Sequence, residues 1–161
     1  FICNPSSHHI KSALVAASHG SHVFIEKPLS NSLNGIEKLK KIIKKNKKHI
    51  YIGYQLRFNP VLNKMKNMLD KNIIGNILGV RAEVAEYMPG FHKYEDYRKS
   101  YAALKKLGGG VILTQIHEID YLQWIFGRPK NIYALGGKFS HLDIDVEDTA
   151  SLVMDCTKKI K

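Results

Sequence analysis

Short apolar runs alternate with amphipathic stretches over the first third of the chain. The runs at 1–4, 22–27 and 49–58 are rich in the β-branched and aromatic residues of buried strands. Segments 9–19 and 37–49 repeat apolar residues every three or four positions, which is typical of helices that bury one face. This β-α-β-α-β order predicts a parallel sheet with right-handed crossovers, because a helix must return the chain between parallel strands.

Capping and turn residues indicate where these helices begin and end. Ser6 or Ser7 is expected to cap the first helix, and Gly20 is expected to end it. Pro28 and Ser30 are expected to open the second helix, which places its start directly after the second strand.

The grouping of elements changes after Pro60, because helices and strands no longer alternate one by one. We therefore predict an α/β chain with two domains. Residues 1–59 form the C-terminal part of a Rossmann-like parallel sheet, and residues 60–161 form an α+β domain with a mostly antiparallel open sheet, incomplete at its C-terminus. The predicted elements of the second domain are helices over 61–72, 95–107 and 111–127 and strands over 77–88, 131–141 and 148–159.

Composition indicates a globular protein with a basic surplus. No apolar run reaches the length of a membrane span, and the net charge is +11. Much of the surplus lies at 37–49, where lysines alternate with Leu39, Ile42 and Ile43. We interpret this segment as a solvated helix face rather than a nucleic-acid-binding surface, because no arginine or aromatic side chain interleaves the lysines.

The two cysteines, Cys3 and Cys156, lie far apart in strand-like sequence, and neither has metal-ligand spacing. Buried, reduced thiols in a cytoplasmic protein without a metal are the simplest expectation. The chain begins with Phe1 rather than methionine, and it starts and ends within predicted elements. Residues are therefore expected to be missing at both ends.

Polar side chains follow each of the first three predicted strands. Glu26 and Lys27 stop an apolar run, Asn4 lies at the end of the strand before it, and Arg57 lies at the end of the strand after it. Ligands of open parallel sheets bind beyond the carboxyl ends of the strands. These residues together predict a ligand-binding edge, although for any one of them alone a solvated loop is the better interpretation, and for the charged pair before Pro28 the two interpretations are equal.

A second polar cluster lies on the helix after the three glycines at 108–110. Thr114, His117, Asp120 and Tyr121 share one helical face, and such groups are costly to bury unless they are paired. A structural His–Asp pair and a general acid/base are both consistent with this spacing. The glycines permit close approach of the backbone to a ligand, but they are not a P-loop, because no Gly-Lys-Ser/Thr follows.

An aromatic segment, residues 87–106, combines several tyrosines with His92 and Arg98. Stacking and hydrogen bonding there would suit a polyhydroxylated ligand, and Tyr97 is the candidate substrate-binding residue. Surface aromatic packing is the alternative, and residue type alone does not decide between the two.

The motifs NPSSHH, EKP, GYQLRFNP and GGGVILTQIHEIDYLQWIFG occur in this order along nearly the whole chain. Together they resemble the Gfo/Idh/MocA oxidoreductases, the relatives of glucose-fructose oxidoreductase and inositol dehydrogenase. The resemblance implies an N-terminal Rossmann domain that binds NAD or NADP, a C-terminal α/β domain with a large open sheet, and an active site between them.

The resemblance also implies roles for individual residues. Lys27 matches the lysine that contacts both the nicotinamide and the substrate hydroxyl, and His117 matches the usual acid/base histidine, so both are expected to be catalytic. The residues expected to bind the cofactor are Asn4, Pro5, His9, Glu26 and Lys27. The residues expected to bind the substrate are Arg57, Thr114 and Asp120, together with Tyr97 from the aromatic segment.

The implied reaction is hydride transfer between a nicotinamide cofactor and a secondary alcohol or ketone of a sugar, nucleotide sugar or cyclitol. His117 would take the hydroxyl proton, and Lys27 would stabilise the developing alkoxide. The expected partners are this small-molecule substrate and, as in many family members, further copies of the chain in a dimer or tetramer. No nucleic acid or membrane partner is expected.

Two departures from the family pattern bear on activity. The G-x-G-x-x-G fingerprint does not occur, since its strand would precede residue 1, so the chain alone is expected to bind NAD(P) poorly and to be inactive. Thr114 stands where close relatives often have an acidic residue, and a hydroxyl carries no charge. An alternative therefore stays open: a non-catalytic sugar- or nucleotide-binding or regulatory member of the same fold.

Overall fold

A computed structural model describes residues 1–156 of the chain. Ile2 forms a parallel bridge with Ile25, and a parallel pair of strands extends from Val23 opposite Ile50 to Ile25 opposite Ile52. The predicted parallel sheet is therefore confirmed, with shorter strands than the sequence indicated. In chain order the elements are α1 (His9–Ser18), β1 (Val23–Ile25), α2 (Ile36–Lys45), β2 (Ile50–Ile52), α3 (Pro60–Asp70), α4 (Met88–Phe91), α5 (Val111–Thr114), α6 (Ile116–Phe126), β3 (Pro129–Gly137) and β4 (Thr149–Cys156).

One hydrophobic core lies between the parallel sheet and the helices α1 and α2. Ala13 and Ala17 are fully buried, and their small side chains let α1 pack closely on β1, where Ile25 is also fully buried. Each large aliphatic side chain buried in this way contributes about 1.5–3 kcal/mol. The buried members of the core are Ile2, Ile10, Ala13, Ala17, Val23, Ile25 and Leu39.

The second helix begins later than predicted. Residues 26–35 form a loop that contains a cis peptide bond between Lys27 and Pro28, and α2 starts only after Gly35. Gly35 has a left-handed φ of 82°, and a Cβ there would lie 2.7 Å from a methyl carbon of Ile10. The close packing against α1 therefore sets the start of α2. Its lysine side is exposed, as expected of a solvated helix face.

The predicted cap of the first helix is wrong. Neither serine side chain caps α1, because residues Ser6–His8 form a 3₁₀ turn that leads directly into the helix. The expectation of buried thiols also fails at Cys3, which is exposed just beyond the Ile2 bridge, whereas Cys156 is half-buried. Within residues 1–156, no helix is both long and apolar enough to cross a membrane.

The second half of the chain contains an antiparallel pair of strands. Ladder pairs between β3 and β4 run from Pro129 opposite Cys156 to Gly137 opposite Thr149. This confirms the two predicted strands, although residues 157–159 of the second prediction lie outside the described part of the chain. Tyr133, Leu135 and Val153 are large exposed apolar side chains on this sheet.

Two other predicted elements are wrong. Residues 77–87 form no strand, because alternation alone does not supply a neighbouring strand with which to pair, and positions 80–87 are all exposed. The predicted helix at 95–107 is three separate 3₁₀ turns. The side chains of Asp96 and Ser100 accept hydrogen bonds from the N–H groups two residues ahead, which competes with helical hydrogen bonding.

Candidate active site

The polar groups that follow the first two parallel segments of the sheet lie together at one edge of it. Asn4 and Pro5 follow the Ile2 bridge, Glu26 and Lys27 follow β1, and all four line a cavity of about 240 Å³. The Glu26 carboxylate packs against Gly53, where a Cβ would lie 3.0 Å from Oε1. Cys3, Ser6, His9 and Tyr101 complete the lining.

Lys27 connects this edge to the helices of the second half. Its Nζ donates a hydrogen bond of 2.6 Å to the main-chain oxygen of Thr114. Burial lowers the pKa of Lys27, and the carboxylates of Glu26, Glu118 and Glu86 oppose that shift in this order. The ammonium is thus half-buried among carboxylates, with its position fixed by a carbonyl group.

The expected single helix at 111–127 is interrupted where Lys27 binds. Gln115 separates α5 from α6, and the Glu118 N–H contacts the Gln115 oxygen at 3.4 Å instead of the Thr114 oxygen four residues back. The freed Thr114 carbonyl accepts the Lys27 ammonium. The helix break therefore creates the acceptor that positions the lysine.

His117 is half-buried, one residue into α6. Burial lowers its pKa and the nearby Lys27 charge lowers it further, whereas the carboxylates of Asp120 and Glu26 act in the opposite direction. The Tyr54 ring lies edge-on to the imidazole, with ring centroids 6.4 Å apart. A neutral imidazole at pH 7 can accept a proton from a bound hydroxyl group.

Three polar atoms of the α5–α6 pair are buried and have no hydrogen-bond partner within the described chain: Thr114 Oγ1, His117 Nδ1 and Glu118 Oε2. Buried polar atoms are normally paired in folded proteins. The three lie within five residues of the acceptor of Lys27, so the described chain satisfies the polar groups of this helix pair only in part.

Arg57 and Asp120 form a closed pair elsewhere on α6. Arg57 Nε donates to Asp120 Oδ2 at 2.8 Å, and Nη2 donates to Oδ1 at 2.6 Å. Asp120 is buried, and its hydrogen bonds raise the pKa of Arg57. The structural His–Asp pair considered from spacing is therefore not formed, because Asp120 is hydrogen-bonded to Arg57.

Tyr97 and Thr114, both predicted to bind substrate, line a second cavity of about 270 Å³. Glu86 also lines it and accepts a hydrogen bond of 2.7 Å from Gln115 Nε2. The structure thus brings Thr114 next to both the Lys27 edge and this cavity, whereas Arg57 and Asp120 line neither cavity.

The glycines at 108–110 pack closely against other segments of the chain. A Cβ on Gly109 would lie 2.4 Å from the Ala102 oxygen, and one on Gly110 would lie 2.3 Å from a Glu147 carboxylate oxygen. Glu147 Oε1 also accepts a hydrogen bond from the Ile112 N–H. These close contacts within the chain account for Gly109 and Gly110, and close approach of the glycines to a ligand stays a prediction.

Sequence reasoning missed Tyr101, Glu86 and Glu118. Glu118 could have been found, because it lies four residues after Thr114 and therefore on the same helical face. Tyr101 reaches the site from the start of a 3₁₀ turn and Glu86 from a segment without regular structure, and no local pattern marks either residue. Among residues 1–156, no group of three or more His, Cys, Asp or Glu side chains could hold a metal ion.

Comparison with known protein families gives two matches. The model of the GFO/IDH/MocA C-terminal domain matches residues 62–161, and the model of the oxidoreductase family with an NAD-binding Rossmann fold matches residues 1–54. The chain belongs to the GFO/IDH/MocA oxidoreductase family. The resemblance seen in the sequence is thereby confirmed, as is the NAD-binding character of the first domain's family.

Individual relatives agree with this assignment. Oxidoreductase P35 of Formosa agariphila is 26% identical over 152 residues, which cover 91% of this chain and 47% of that protein. The structure of scyllo-inositol dehydrogenase from Lactobacillus casei, with NAD(H) and scyllo-inositol, has a TM-score of 0.77 and 25% identity over 99% of this chain and 47% of that one. The WlbA dehydrogenase of Bordetella pertussis, with NADH and UDP-GlcNAcA, has a TM-score of 0.76 and 21% identity over 98% of this chain and 45% of that one. The GFO/IDH/MocA chain described here therefore spans about half the length of these relatives.

The polar lining of the edge cavity can be compared with the needs of a nucleotide cofactor. The edge cavity combines the Asn4 amide, the Glu26 carboxylate and the Lys27 ammonium at the carboxyl ends of neighbouring parallel segments, where nucleotide ligands of this fold bind.

Proposed function

We propose that the protein transfers a hydride between a nicotinamide cofactor and a secondary alcohol or ketone of a sugar, nucleotide sugar or cyclitol. The supporting observation is the 2.6 Å hydrogen bond from Lys27 Nζ to the Thr114 oxygen. It joins the ammonium at the strand end to the helix pair that carries His117, so a charge stabiliser and a base lie beside one another. Membership of an oxidoreductase family agrees with this proposal.

In the proposed mechanism Asn4, Pro5 and Glu26 line the nicotinamide side of the edge cavity, and the cofactor, when bound, supplies the hydride acceptor or donor. His117 takes the proton of the substrate hydroxyl as its carbon is oxidised. Lys27, as an ammonium, donates a hydrogen bond to the oxygen on which negative charge develops. In the reverse direction the same two groups return the proton to a ketone.

Local charge favours uncharged substrates within the proposed class. Glu26, Glu86 and Glu118 all act on Lys27, whereas the Arg57 charge is neutralised by Asp120. The carboxylates around Lys27 would repel an anionic group on a substrate. The ligands of the two relatives differ in this respect, since scyllo-inositol is uncharged and UDP-GlcNAcA is anionic. We therefore propose that the substrate is a cyclitol or free sugar in preference to a nucleotide sugar.

The test is a cofactor-reduction assay of the full-length protein with NAD and with NADP. Cyclitols, free sugars and nucleotide sugars are supplied in parallel, and absorbance of the reduced nicotinamide is followed. Turnover with an uncharged polyol, lost in Lys27→Ala, supports the proposal. Calorimetric binding of a sugar or nucleotide without turnover for any substrate would instead support a non-catalytic binding or regulatory role.

Assembly and location are also part of the proposal. The exposed Tyr133, Leu135 and Val153 on the β3–β4 sheet support burial of this surface in a dimer or tetramer, because large apolar side chains are usually covered in contacts of this kind. Two unpaired cysteines agree with a reducing cytoplasm. Sedimentation analysis of the full-length protein would overturn the assembly proposal if it gave a monomer.

A further inference from the structure

The edge cavity is lined from two distant parts of the chain. Asn4, Glu26 and Lys27 come from the strand ends of the first half, whereas the half-buried Tyr101 comes from the second half. The phenol of Tyr101 therefore shares one cavity with the residues that are expected to bind the cofactor. The fold of the first half alone would leave this side of the cavity without a wall.

The main chain of Tyr101 is held in place by the glycines before α5. Tyr101 is the first residue of a 3₁₀ turn in which Ala102 and Ala103 are buried, with 5% and 0% of their surface exposed. The Gly110 N–H donates a hydrogen bond of 2.9 Å to the Ala102 oxygen, and a Cβ on Gly109 would lie 2.5 Å from the Tyr101 oxygen. This packing fixes the point at which the Tyr101 side chain enters the cavity.

The phenol of Tyr101 keeps its hydrogen at neutral pH. Burial raises the pKa of Tyr101, and the carboxylates of Glu26 and Glu86 raise it further. The hydroxyl group is therefore available as a hydrogen-bond donor, whereas the Glu26 carboxylate accepts hydrogen bonds only. One cavity thus combines a donor from the second half of the chain with an acceptor from the first half.

We propose that Tyr101 is a cofactor-binding residue, whose hydroxyl donates a hydrogen bond to the carbonyl oxygen of the nicotinamide carboxamide. A carboxamide presents a carbonyl oxygen that accepts and an NH₂ group that donates. Tyr101 and Glu26 complement these two groups from opposite halves of the chain, so both halves orient the nicotinamide. This role of Tyr101 rests on the proposed function, in which a nicotinamide cofactor occupies the edge cavity.

Two other donors line the same cavity, but each has a partner within the chain. Asn4 Nδ2 donates a hydrogen bond of 2.9 Å to Ser12 Oγ. Lys27 Nζ donates to the Thr114 oxygen at 2.6 Å and, in the proposed mechanism, also serves the substrate oxygen. The hydroxyl of Tyr101 is therefore the donor that we assign to the carboxamide.

The first experiment measures binding of nicotinamide nucleotides to the full-length protein by calorimetry, without turnover. NAD is compared with two analogues, in which a thioamide or an acetyl group replaces the carboxamide. Sulfur accepts hydrogen bonds weakly, whereas the acetyl group keeps the carbonyl oxygen and lacks the NH₂ group. We expect NAD to bind about fivefold more tightly than the thioamide analogue, as for one neutral hydrogen bond.

The decisive variant is Tyr101→Phe, which removes the hydroxyl and keeps the ring. The Kd of NAD and of the acetyl analogue should rise about fivefold, because both carry the carbonyl oxygen, and the Kd of the thioamide analogue should stay the same. Tyr51→Phe, on a residue of β2 that is 60% exposed, is the control and should leave all three Kd values unchanged.

Two results with Tyr101→Phe would overturn the proposal. A variant that still prefers NAD to the thioamide analogue by the original factor means that Asn4 or Lys27 is the donor. A variant with a lower melting temperature and unchanged Kd values means that the hydroxyl has a merely structural role.

A spectroscopic measurement on the unmodified protein decides the matter if Tyr101→Phe does not fold. A ¹³C label at Cζ of tyrosine reports hydrogen bonding of the phenol. The Tyr101 resonance should move on addition of NAD and move less on addition of the thioamide analogue, whereas the Tyr51 resonance should not respond. Equal responses of Tyr101 to the two nucleotides, or no response, overturn the proposal.

The binding data also separate failure of this role from failure of the proposed function. A protein without turnover whose preference for NAD over the thioamide analogue disappears in Tyr101→Phe contradicts the proposed reaction and leaves the role of Tyr101 intact. An active enzyme whose Tyr101→Phe variant keeps that preference contradicts the role of Tyr101 alone. A full-length protein that binds no nicotinamide nucleotide contradicts both.

Discussion

The two sides of the α5–α6 helix pair differ in how their polar groups are satisfied. On one side Asp120 accepts two hydrogen bonds from Arg57 and forms a closed, bidentate pair. On the other side Thr114, His117 and Glu118 each have a buried polar atom without a partner in the described chain, beside the Lys27 ammonium. One helix pair therefore has a closed side, on which Asp120 is paired, and an open side, on which buried polar atoms lack a partner in the described chain.

This difference separates residues that the sequence placed in one group. The family resemblance assigned Asp120, Thr114 and Arg57 alike to substrate binding. The geometry supports that role for Thr114, whereas Arg57 and Asp120 satisfy each other and tie the 3₁₀ turn at 55–58 to α6. We therefore expect substitutions on the open side to reduce turnover and substitutions on the closed side to reduce stability.

The largest effect is expected from His117→Ala, which removes the proposed base. Turnover should fall by about 10²–10⁴-fold, the usual contribution of a positioned acid/base group. Because burial and Lys27 lower the pKa of His117, the acid limb of the kcat/KM profile should lie below the ordinary histidine value and should vanish in the variant. His141→Ala, on an exposed residue, is the control. An unchanged acid limb would assign His117 a structural role.

A somewhat smaller loss is expected from Lys27→Met, which keeps the apolar stem and removes the charge. Turnover should fall by about 10²–10³-fold, as when one donor to a developing oxyanion is removed. Burial lowers the pKa of Lys27, so loss of its proton should place the alkaline limb of the wild-type profile below the ordinary lysine value. Lys11→Met on the exposed side of α1 controls for the loss of a surface charge, and a variant with wild-type turnover would refute the role of Lys27.

On the closed side, Arg57→Ala should reduce stability. Asp120 is 7% exposed in its side chain and would be left without its partner. Removal of one partner from a fully buried ion pair costs about 3–5 kcal/mol, and because the Arg57 side chain is 40% exposed we expect roughly 2 kcal/mol in the free energy of unfolding. Urea denaturation measures this difference.

The matched control for the closed pair is Arg81→Ala, which breaks an ion pair with Glu83 whose side chains are 86% and 71% exposed. Solvent screens such a pair, so little change in stability is expected. Equal effects of Arg57→Ala and Arg81→Ala would show that the buried pair is no anchor and would remove the contrast between the two sides.

The parts of the fold that the sequence predicted are those determined by local pattern. The β-α-β-α-β order follows from periodicity, and the meeting of Asn4 with Glu26 and Lys27 follows from the rule that parallel strands end at one edge. Residues 77–87 form no strand because they have no neighbouring strand with which to pair. The helix predicted at 95–107 is broken because the side chains of Asp96 and Ser100 compete for main-chain N–H groups. Hydrophobic alternation carries no information about either.

Contacts between distant segments explain why the site was predicted only in part. The Arg57–Asp120 pair joins residues 63 positions apart, and the Lys27–Thr114 hydrogen bond joins residues 87 positions apart. Spacing placed Thr114, His117 and Asp120 on one face, but it could not show that Asp120 is hydrogen-bonded to an arginine. The break at Gln115 was also hidden, because the Thr114 carbonyl group that it frees is bound by Lys27 from a distant segment.

The smallest expected effect is the most specific test of the open side. In Thr114→Val a buried hydroxyl without a partner is replaced by a methyl group of similar size. An unsatisfied buried polar group costs about 1–3 kcal/mol, so the variant should be more stable by roughly 1 kcal/mol in urea denaturation. Turnover should nevertheless fall, because the hydroxyl is the group proposed to bind substrate, whereas the main-chain acceptor of Lys27 is retained.

Thr114→Ser, which keeps the hydroxyl, should retain turnover. A valine variant with lower stability would mean that the hydroxyl already has a partner in the folded protein, and the helix pair would then be closed on both sides.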